Sequence, residues 1–191
     1  MKIIGISKGR ELPIQVSLMA DSAVIRTNKP FFVPHFAQRF TGKAALVLHI
    51  DRLGKHIAPR FAHRYCMSMA PGIKVTAHDI DMEQQCEKYS ALSQSFDGAL
   101  LLGDFIAIED HALINSSMIT VECNGLKSPA TTLNEMGIDY RLLISQLSTF
   151  FTLKMGDMIV TELGDATSAL KPGDTLSASI NGLQQLTIRV K

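Results

Sequence analysis

The chain has 191 residues, which is enough to bury one substantial core, so we expect a single domain over residues 1–191. Its 19 basic and 18 acidic residues nearly cancel, and this balance provides no broad electrostatic footprint for nucleic acid or for an anionic membrane. Hydrophobic residues make up 46% of the chain, but no unbroken apolar run approaches the ~20 residues of a membrane span. The first residues also lack the apolar segment of a secretory signal, so a cytoplasmic location is predicted.

Two extended segments stand out in the first half of the chain. The run "KAALVLHI" is predicted to form a strand, and regular alternation would place Lys43, Ala45, Val47 and His49 on one face of it. The second segment, "GIKVTAHDID" at residues 72–81, has an apolar extended run that ends in a histidine and two aspartates.

The residues that follow this second segment favour a helix. "DIDMEQQCEKYSAL" has helix-forming residues, and Asp79 or Asp81 could accept hydrogen bonds from its first backbone N–H groups as the N-cap. These aspartates therefore have a structural role available, which weakens the case for a metal site formed by them with His78.

Turn signals dominate the second half of the chain. Asn124-Gly125 and Asn181-Gly182 each follow a β-prone run, and this dipeptide tolerates the positive φ angles of a type I′ hairpin turn. Asn181-Gly182 predicts a C-terminal hairpin, and Asn124-Gly125 predicts either another hairpin or a turn that ends a strand. The phrases "LKMGDMIVT" and "LKPGDTLSA" both place a Gly-Asp turn before a strand. Between these signals, "DYRLLISQLSTFF" has the apolar spacing of an amphipathic helix, with Asp139 as its N-cap.

Together these elements predict a strand-rich α+β domain with two or three helices. Six phrases then occur in a fixed order: "KPFFVPHFAQRF", "HIDRLGKHIAPRFAHRY", "GIKVTAHDID", "SFDGALLLG", "FFTLKMGDMIVT" and "LKPGD". In this order the chain resembles the fumarylacetoacetate hydrolase family over about residues 20–191. The resemblance implies a mixed β-roll or barrel-like fold with a few covering helices, and a homodimer. It also implies enzymes that hydrolyse, decarboxylate, hydrate or isomerise β-dicarbonyl and 2-oxo acids with Mg²⁺ or Mn²⁺.

The residues at the family's metal-binding positions differ from the family pattern. The family strand opens with Glu-x-Glu, and the third carboxylate is the aspartate of a "GxDxTARD" segment. The corresponding residues here are Lys43, Ala45 and Lys74. Because ammonium groups repel a hard cation that requires oxygen ligands, we expect no metal to be bound.

Other catalytic positions have also changed. The family's lysine before Phe-Asp-Gly corresponds to Gln94, which cannot transfer a proton near neutral pH, and the family's arginine corresponds to His78. The Thr-Gly-Thr-Pro loop is replaced by residues 161–165, and the N-terminal segment that supplies the family's general base is shortened. The sequence therefore predicts a catalytically inactive member with no cofactor and no catalytic residues of its own.

Lys43 and Lys74 would be costly to bury without an anion. Glu162 is the first candidate partner and Asp165 the second, and the hypothesis is an ion pair of Glu162 with Lys43 or Lys74 in the space of the former metal. The alternative is two solvated lysines. His49 would point at the same cavity, although a histidine satisfied within the core is the simpler interpretation. Three separate cysteines fit no disulfide or zinc pattern and are interpreted as reduced thiols.

Three functions stay open on the sequence. The first is a degenerate homologue that serves as a binding or regulatory protein. The second is a module in which Lys43 and Lys74 capture a small organic anion. The third is a working hydrolase or isomerase of 2-oxo acids with a divergent site.

Overall fold

A computed structural model describes residues 1–8, 14–80 and 90–191, with the side chains of residues 90 and 91 left aside. Within these ranges the chain is mostly strand, with two α-helices and three short 3-10 helices. The strands are β1 Ile3–Ser7, β2 Gln15–Met19, β3 Val24–Arg26, β4 Ala37–Ile50, β5 Cys66–Ile80, β6 Leu100–Leu102, β7 Ile106–Ala107, β8 Ile119–Cys123, β9 Leu126–Lys127, β10 Met158–Ala166, β11 Thr175–Ile180 and β12 Leu183–Arg189. The helices are α1 Ser90–Ser95 and α2 Tyr140–Phe150, and the 3-10 helices are Asp21–Ala23, Pro59–Arg64 and His111–Ser116.

The strands form two sheets. The larger sheet has the order β2-β1-β10-β4-β5-β6-β3, with β7 paired to β5, and the smaller has the order β12-β11-β8-β9. The larger sheet is mixed, because β1 runs parallel to β10 and β3 runs parallel to β6, whereas the other pairs are antiparallel. The predicted fold class, mainly β and mixed with few helices, is confirmed.

The two faces of the larger sheet pack against different apolar clusters. The main core lies between the two sheets and α2, where Tyr140, Leu143, Ile144 and Leu147 are buried on one side of the helix. This helix was predicted from its apolar spacing, and its N-cap is Asp139 as expected, with a carboxylate oxygen 2.8 Å from the backbone N of Arg141. A smaller cluster covers the opposite face of β1, β4, β5, β6 and β10, and this face holds the candidate site.

Both predicted Asn-Gly hairpins are present. β11 and β12 are joined at Asn181-Gly182, with φ angles of 50° and 81°. β8 and β9 are joined at Asn124-Gly125, with φ angles of 51° and 84°. These are the left-handed conformations that a type I′ turn requires, which asparagine and glycine adopt at low cost.

The two Gly-Asp turns are built in the same way. Gly156 and Gly173 have φ angles of 88° and 100°. The aspartate that follows each glycine accepts a hydrogen bond at 2.8 Å from a backbone N–H three residues upstream, in Lys154 and in Lys171. The predicted repeated turn device is therefore confirmed.

One helix prediction needs correction. Asp79 does not cap a helix: it lies in β5, which continues to Ile80, and it has a φ angle of 56°. The carboxylate of Asp79 instead lies 3.6 Å from the guanidinium of Arg39 on the neighbouring strand. Residues 81–89, including Asp81, lie outside the described residues, and of the predicted helical segment only residues 90–92 fall within α1.

The N-terminal connection is short. Ser7 at the end of β1 pairs with Gln15 at the start of β2, so only seven residues join the two strands. Residues 9–13 within this connection lie outside the described part of the chain. Among the helices that are described, none combines the length and the apolar character that crossing a bilayer would require.

Candidate functional site

Strand pairing brings together the three positions at which the resemblance predicts metal ligands, Lys43, Ala45 and Lys74. Lys43 on β4 lies directly opposite Lys74 on β5, and two residues further along β4, Ala45 lies opposite Gly72. On the other side of β4, Glu162 of β10 is the register partner of Ala45. Alternation along each strand then places Lys43, Lys74 and Glu162 on one face of the sheet. The resulting ionic cluster, Lys43, Lys74 and Glu162, is the centre of the candidate site.

The predicted ion pair forms with Lys43. The Nζ atom of Lys43 lies 3.8 Å from Oε2 of Glu162, and the side chains are 39% and 9% exposed respectively. Burial raises the pKa of the Glu162 carboxyl, while the positive charges of Lys43 and Lys74 act in the opposite direction. Asp165, the second candidate partner, is not part of this pair and is exposed.

Lys74 is buried to an unusual degree for a lysine. Only 1% of the residue is exposed, and its ammonium donates a hydrogen bond to the backbone carbonyl of Gln94. Burial lowers the pKa of Lys74 to about 8, and the negative charge of Glu162 opposes that shift. Lys74 therefore changes charge in a pH range where an exposed lysine remains protonated. The alternative of two solvated lysines is wrong for Lys74.

Gln94 contributes to this cluster through its backbone. It lies near the end of α1, and its carbonyl oxygen accepts the hydrogen bond from Lys74 described above. Because the carbonyl belongs to the main chain, this contact depends on the position of α1 and not on the glutamine side chain. The correspondence of Gln94 with the family's lysine stays a prediction of the resemblance.

His49 lies on the predicted face but does not reach the cluster. It is six residues from Lys43 along β4, which separates the two Cα atoms by about 20 Å at a strand rise of 3.3 Å per residue. Its Nδ1 atom lies 2.8 Å from Oδ1 of Asp51, and its ring contacts the ring of Phe105 edge-on at 5.3 Å. This is the satisfied histidine of the simpler interpretation.

His78 and Asp79 are engaged in separate local contacts. Nε2 of His78 lies 2.9 Å from the hydroxyl of Thr41. The pKa of His78 is lowered mainly by burial and, to a smaller extent, by the positive charge of Arg39. Among the residues for which the structure gives positions, no group of three or more His, Cys, Asp or Glu side chains is arranged to hold a metal ion.

A cavity of about 470 Å³ lies beside Lys43. A β-bulge in β10 shapes one wall: Leu163 pairs with Ala44 and Ala166 pairs with Lys43, so Gly164 and Asp165 are extra residues between them. Bulges commonly turn side chains out of the regular alternation next to functional sites. The residues that line the cavity are Lys8, Lys43, Pro129, Thr131, Glu135, Met136, Gly164 and Asp165.

Residues 8–191 match the family described as Fumarylacetoacetate (FAA) hydrolase C-terminal. The chain belongs to the fumarylacetoacetate hydrolase family. The predicted resemblance is thereby confirmed over nearly the whole sequence.

Curated relatives of the family align over most of the chain at low identity. An uncharacterised protein of Pyrococcus abyssi is 25% identical over 178 residues, covering 93% of this chain and 79% of its own length. The mitochondrial oxaloacetate tautomerase of Rattus norvegicus is 22% identical, with 91% and 79% covered. The fumarylpyruvate hydrolase of a Ralstonia species is 20% identical, with 76% of each chain covered.

Solved structures of this family share the fold. A fumarylpyruvate hydrolase from Pseudomonas aeruginosa, in complex with Mn²⁺ and pyruvate, superposes with a TM-score of 0.86 at 17% identity and covers 100% of this chain and 89% of its own. A 2-hydroxyhepta-2,4-diene-1,7-dioate isomerase from Mycobacterium marinum gives a TM-score of 0.87 at 22% identity, with 99% and 73% covered. At these identities the likeness establishes the architecture alone.

The residues that the resemblance assigns to the metal positions of the fumarylacetoacetate hydrolase family do not fit a hard divalent cation. Lys43 and Lys74 provide ammonium groups, and Ala45 provides a methyl group. Mg²⁺ and Mn²⁺ prefer carboxylate, carbonyl and water oxygens, and Glu162 is the one carboxylate within the ionic cluster. That carboxylate is already paired with Lys43.

The cysteines described in this family member are not activated. Burial and the charge of Asp51 raise the pKa of the Cys66 thiol to about 12, although two backbone hydrogen bonds oppose the shift. Burial and the charge of Asp174 also raise the pKa of Cys123. Both are free cysteines. Cys86 lies outside the described residues.

Sequence reasoning missed two features of the site. Lys8 contributes to the cavity because β1 runs parallel to β10, a pairing between residues more than 150 positions apart that no local pattern indicates. The bulge at Gly164-Asp165 was also missed, although a glycine within a strand pattern is a recognised signal for a bulge.

Proposed function

We propose that this chain is a catalytically inactive member of the fumarylacetoacetate hydrolase family that keeps the fold as a binding or regulatory protein. The main support is the ionic cluster: the Lys43–Glu162 ion pair and the buried ammonium of Lys74 lie where family members have three metal-binding carboxylates. A divalent cation placed there would face two positive charges at short range. We further propose that the protein is a homodimer, as the family resemblance implies, and that it is cytoplasmic, as expected from its first residues.

The proton-transfer groups of the family chemistry are also replaced. Gln94 has no titratable side chain. Two groups of the cluster could exchange a proton near neutral pH: Lys74, with a pKa of about 8, and Glu162, whose pKa is raised by burial. However, Lys74 is 1% exposed and its ammonium donates to a main-chain carbonyl, and Glu162 is 8% exposed and paired with Lys43, so neither group is open to a substrate. These features count against a working hydrolase or isomerase with a divergent site.

Restoring the family's ligands tests this proposal. The triple variant Lys43→Glu, Ala45→Glu, Lys74→Asp should gain Mn²⁺ binding, measured as a rise in Tm on addition of Mn²⁺ through binding linkage. The matched control is Lys43→Gln, Ala45→Gln, Lys74→Asn, which removes the same ammonium groups and adds no carboxylate. The proposal predicts a Tm shift in the first variant and none in the control.

Activity assays of the unmodified protein test directly whether it is catalytically inactive. Relatives of this chain include a fumarylpyruvate hydrolase and an oxaloacetate tautomerase, so fumarylpyruvate and oxaloacetate are the substrates to offer, with and without Mg²⁺ or Mn²⁺. We expect no turnover above the uncatalysed rate. Metal-dependent turnover by the unmodified protein would overturn the proposal.

A further inference from the structure

The cavity beside the ionic cluster presents two positive side chains that retain free hydrogen-bond donors. The Nζ atom of Lys8 donates to the carbonyl of Met136 at 2.7 Å, which uses one of its three N–H groups. Lys43 is 3.8 Å from Glu162, a long ion pair, and its side chain is 39% exposed. Both ammonium groups can therefore donate hydrogen bonds to a carboxylate oxygen of a ligand in the cavity.

Lys74 is not available for this role. The anion-binding hypothesis from the sequence paired Lys43 with Lys74, but Lys74 is buried and does not line the cavity. Lys8, brought in by the parallel pairing of β1 with β10, takes its place. The positive pair that faces the cavity is therefore Lys8 and Lys43.

The cavity also presents one uncommitted acid. Glu135 is engaged locally, because its Oε2 accepts a hydrogen bond from the backbone N–H of Thr132 at 2.9 Å. Asp165 is exposed and forms no ion pair with any residue that the structure describes. The bulge in β10 places Asp165 at the cavity, out of the register that its neighbours keep with β4.

From this arrangement we propose that the cavity binds a small carboxylate that also carries a hydrogen-bond donor, such as an α-amino or α-hydroxy acid. The ligand's carboxylate lies between Lys8 and Lys43, and its ammonium or hydroxyl donates to Asp165. A simple dicarboxylate fits less well, because its second carboxylate would meet the like charge of Asp165. The volume of about 470 Å³ is in the range of small-molecule sites.

This inference rests on the proposed function, since it assumes that no metal competes for the carboxylate, but it can fail separately. The test is isothermal titration calorimetry of the full chain with L-serine, L-lactate, acetate and succinate. Ligand concentrations up to about 10 mM detect even weak binding, with dissociation constants in the millimolar range. We expect serine or lactate to bind at least about tenfold more tightly than acetate or succinate, since a charge-assisted hydrogen bond contributes about that factor.

Two substitutions locate the binding. Lys8→Met should weaken serine or lactate binding about tenfold or more, whereas Lys171→Met, which removes an exposed lysine of the second Gly-Asp turn, should leave it unchanged. Asp165→Asn removes the acid at an exposed position where folding is not at risk, and it should reverse the preference in favour of succinate.

The outcomes separate the two proposals. If none of the four ligands binds, or if succinate binds the unmodified protein as well as serine and lactate do, the inference is wrong. The inference is also wrong if Lys8→Met, shown by circular dichroism to be folded, binds serine or lactate as tightly as the unmodified protein does. If these results occur while Mn²⁺ still has no effect, the proposed function stands without this ligand. A saturable effect of Mn²⁺ would overturn the proposed function instead.

Discussion

At the scale of single residues, the ionic cluster combines charges that burial disfavours. Burial pushes Lys74 and Glu162 toward their neutral forms, and the opposite charges within the cluster counteract it. Burial acts more strongly on Lys74 than on Lys43, because Lys43 is partly solvated and Lys74 is almost completely enclosed. Lys74 is therefore the residue whose protonation should be visible in the stability of the whole protein.

Lys74 should make the protein more stable as the pH rises above 8. Its pKa is about 8 in the folded state against 10.5 for a solvated lysine, so between these values the unfolded chain binds more protons. The penalty of the buried charge is fully present below pH 8 and is relieved as the pH approaches 10.5. A shift of this size corresponds to about 3 kcal/mol in the free energy of unfolding.

Urea denaturation from neutral pH to about pH 10 measures this effect. Lys74→Met is the reference, because it keeps every other titrating group, and the free energy of unfolding of the unmodified protein should increase relative to it above pH 8. Lys171→Met serves as the control and should follow the unmodified protein. A constant difference between the unmodified protein and Lys74→Met at all pH values would show that Lys74 is not titrating as described.

Glu162 should set the pH at which this rise begins. Its negative charge raises the pKa of Lys74, so Glu162→Gln should lower that pKa further and move the rise in stability to lower pH. The measurement is the same denaturation series, supported by NMR of lysines labelled with ¹³C at Cε. A Lys74 titration that stays in place or moves to higher pH would mean that the two side chains do not interact.

At the scale of secondary structure elements, local chemistry decided what the sequence could predict. The Asn-Gly hairpins, the Gly-Asp turns and α2 each depend on a few neighbouring residues, and all were confirmed. The bulge in β10 and the extension of β5 through Asp79 depend on pairing with β4, which is remote in sequence. Local patterns predicted a helix cap at Asp79 because they do not include the guanidinium of Arg39 on the adjacent strand.

The two Gly-Asp turns should differ in their contribution to stability although their backbones match. Asp157 is 2% exposed, and its carboxylate also accepts hydrogen bonds from the backbone N–H of Lys2, at 2.7 Å, and from the Lys2 ammonium. Burial alone would raise the pKa of Asp157, but the hydrogen bonds from Lys2 and Lys154 lower it overall. Asp174 is only half-buried and accepts from Lys171 and, at 2.8 Å, from the Asn124 side chain.

Asp157→Asn should therefore lower the free energy of unfolding by about 2–4 kcal/mol, and Asp174→Asn by about 1 kcal/mol or less. The lowered pKa of Asp157 means that its contribution is present above pH 3.8 and is lost as the pH falls through the folded-state value. Urea denaturation of both variants at neutral pH and in acid tests this. Equal losses in the two variants at neutral pH would disprove the ranking.

At the scale of the whole molecule, sequence phrases identified the family, and the sheet explains why those phrases lie together. Lys43 and Lys74, which the resemblance assigns to metal positions, are 31 residues apart in sequence, and the antiparallel register of β4 with β5 makes them neighbours. Alignment to the family anticipated this neighbourhood and the partner of Lys43. The contribution of Lys8 required the order of strands in the larger sheet, which the phrases do not contain.

The homodimer stays a prediction from the family resemblance. Size-exclusion chromatography with multi-angle light scattering should give twice the chain mass of 20.9 kDa. A mass of a single chain at every concentration tested would remove the dimer from the proposal, and it would leave the account of the ionic cluster unchanged because all three of its residues belong to one chain.

The central claim is that lysines have replaced the ligands of a divalent cation, and the most direct test is a thermal titration of the unmodified protein with Mn²⁺ and with Mg²⁺. A ligand that binds only the folded state at about a hundred times its Kd stabilises it by about 2.7 kcal/mol, which corresponds to several degrees in Tm. We predict no saturable change in Tm with either ion. A saturable rise of several degrees that disappears in Glu162→Gln would contradict the account.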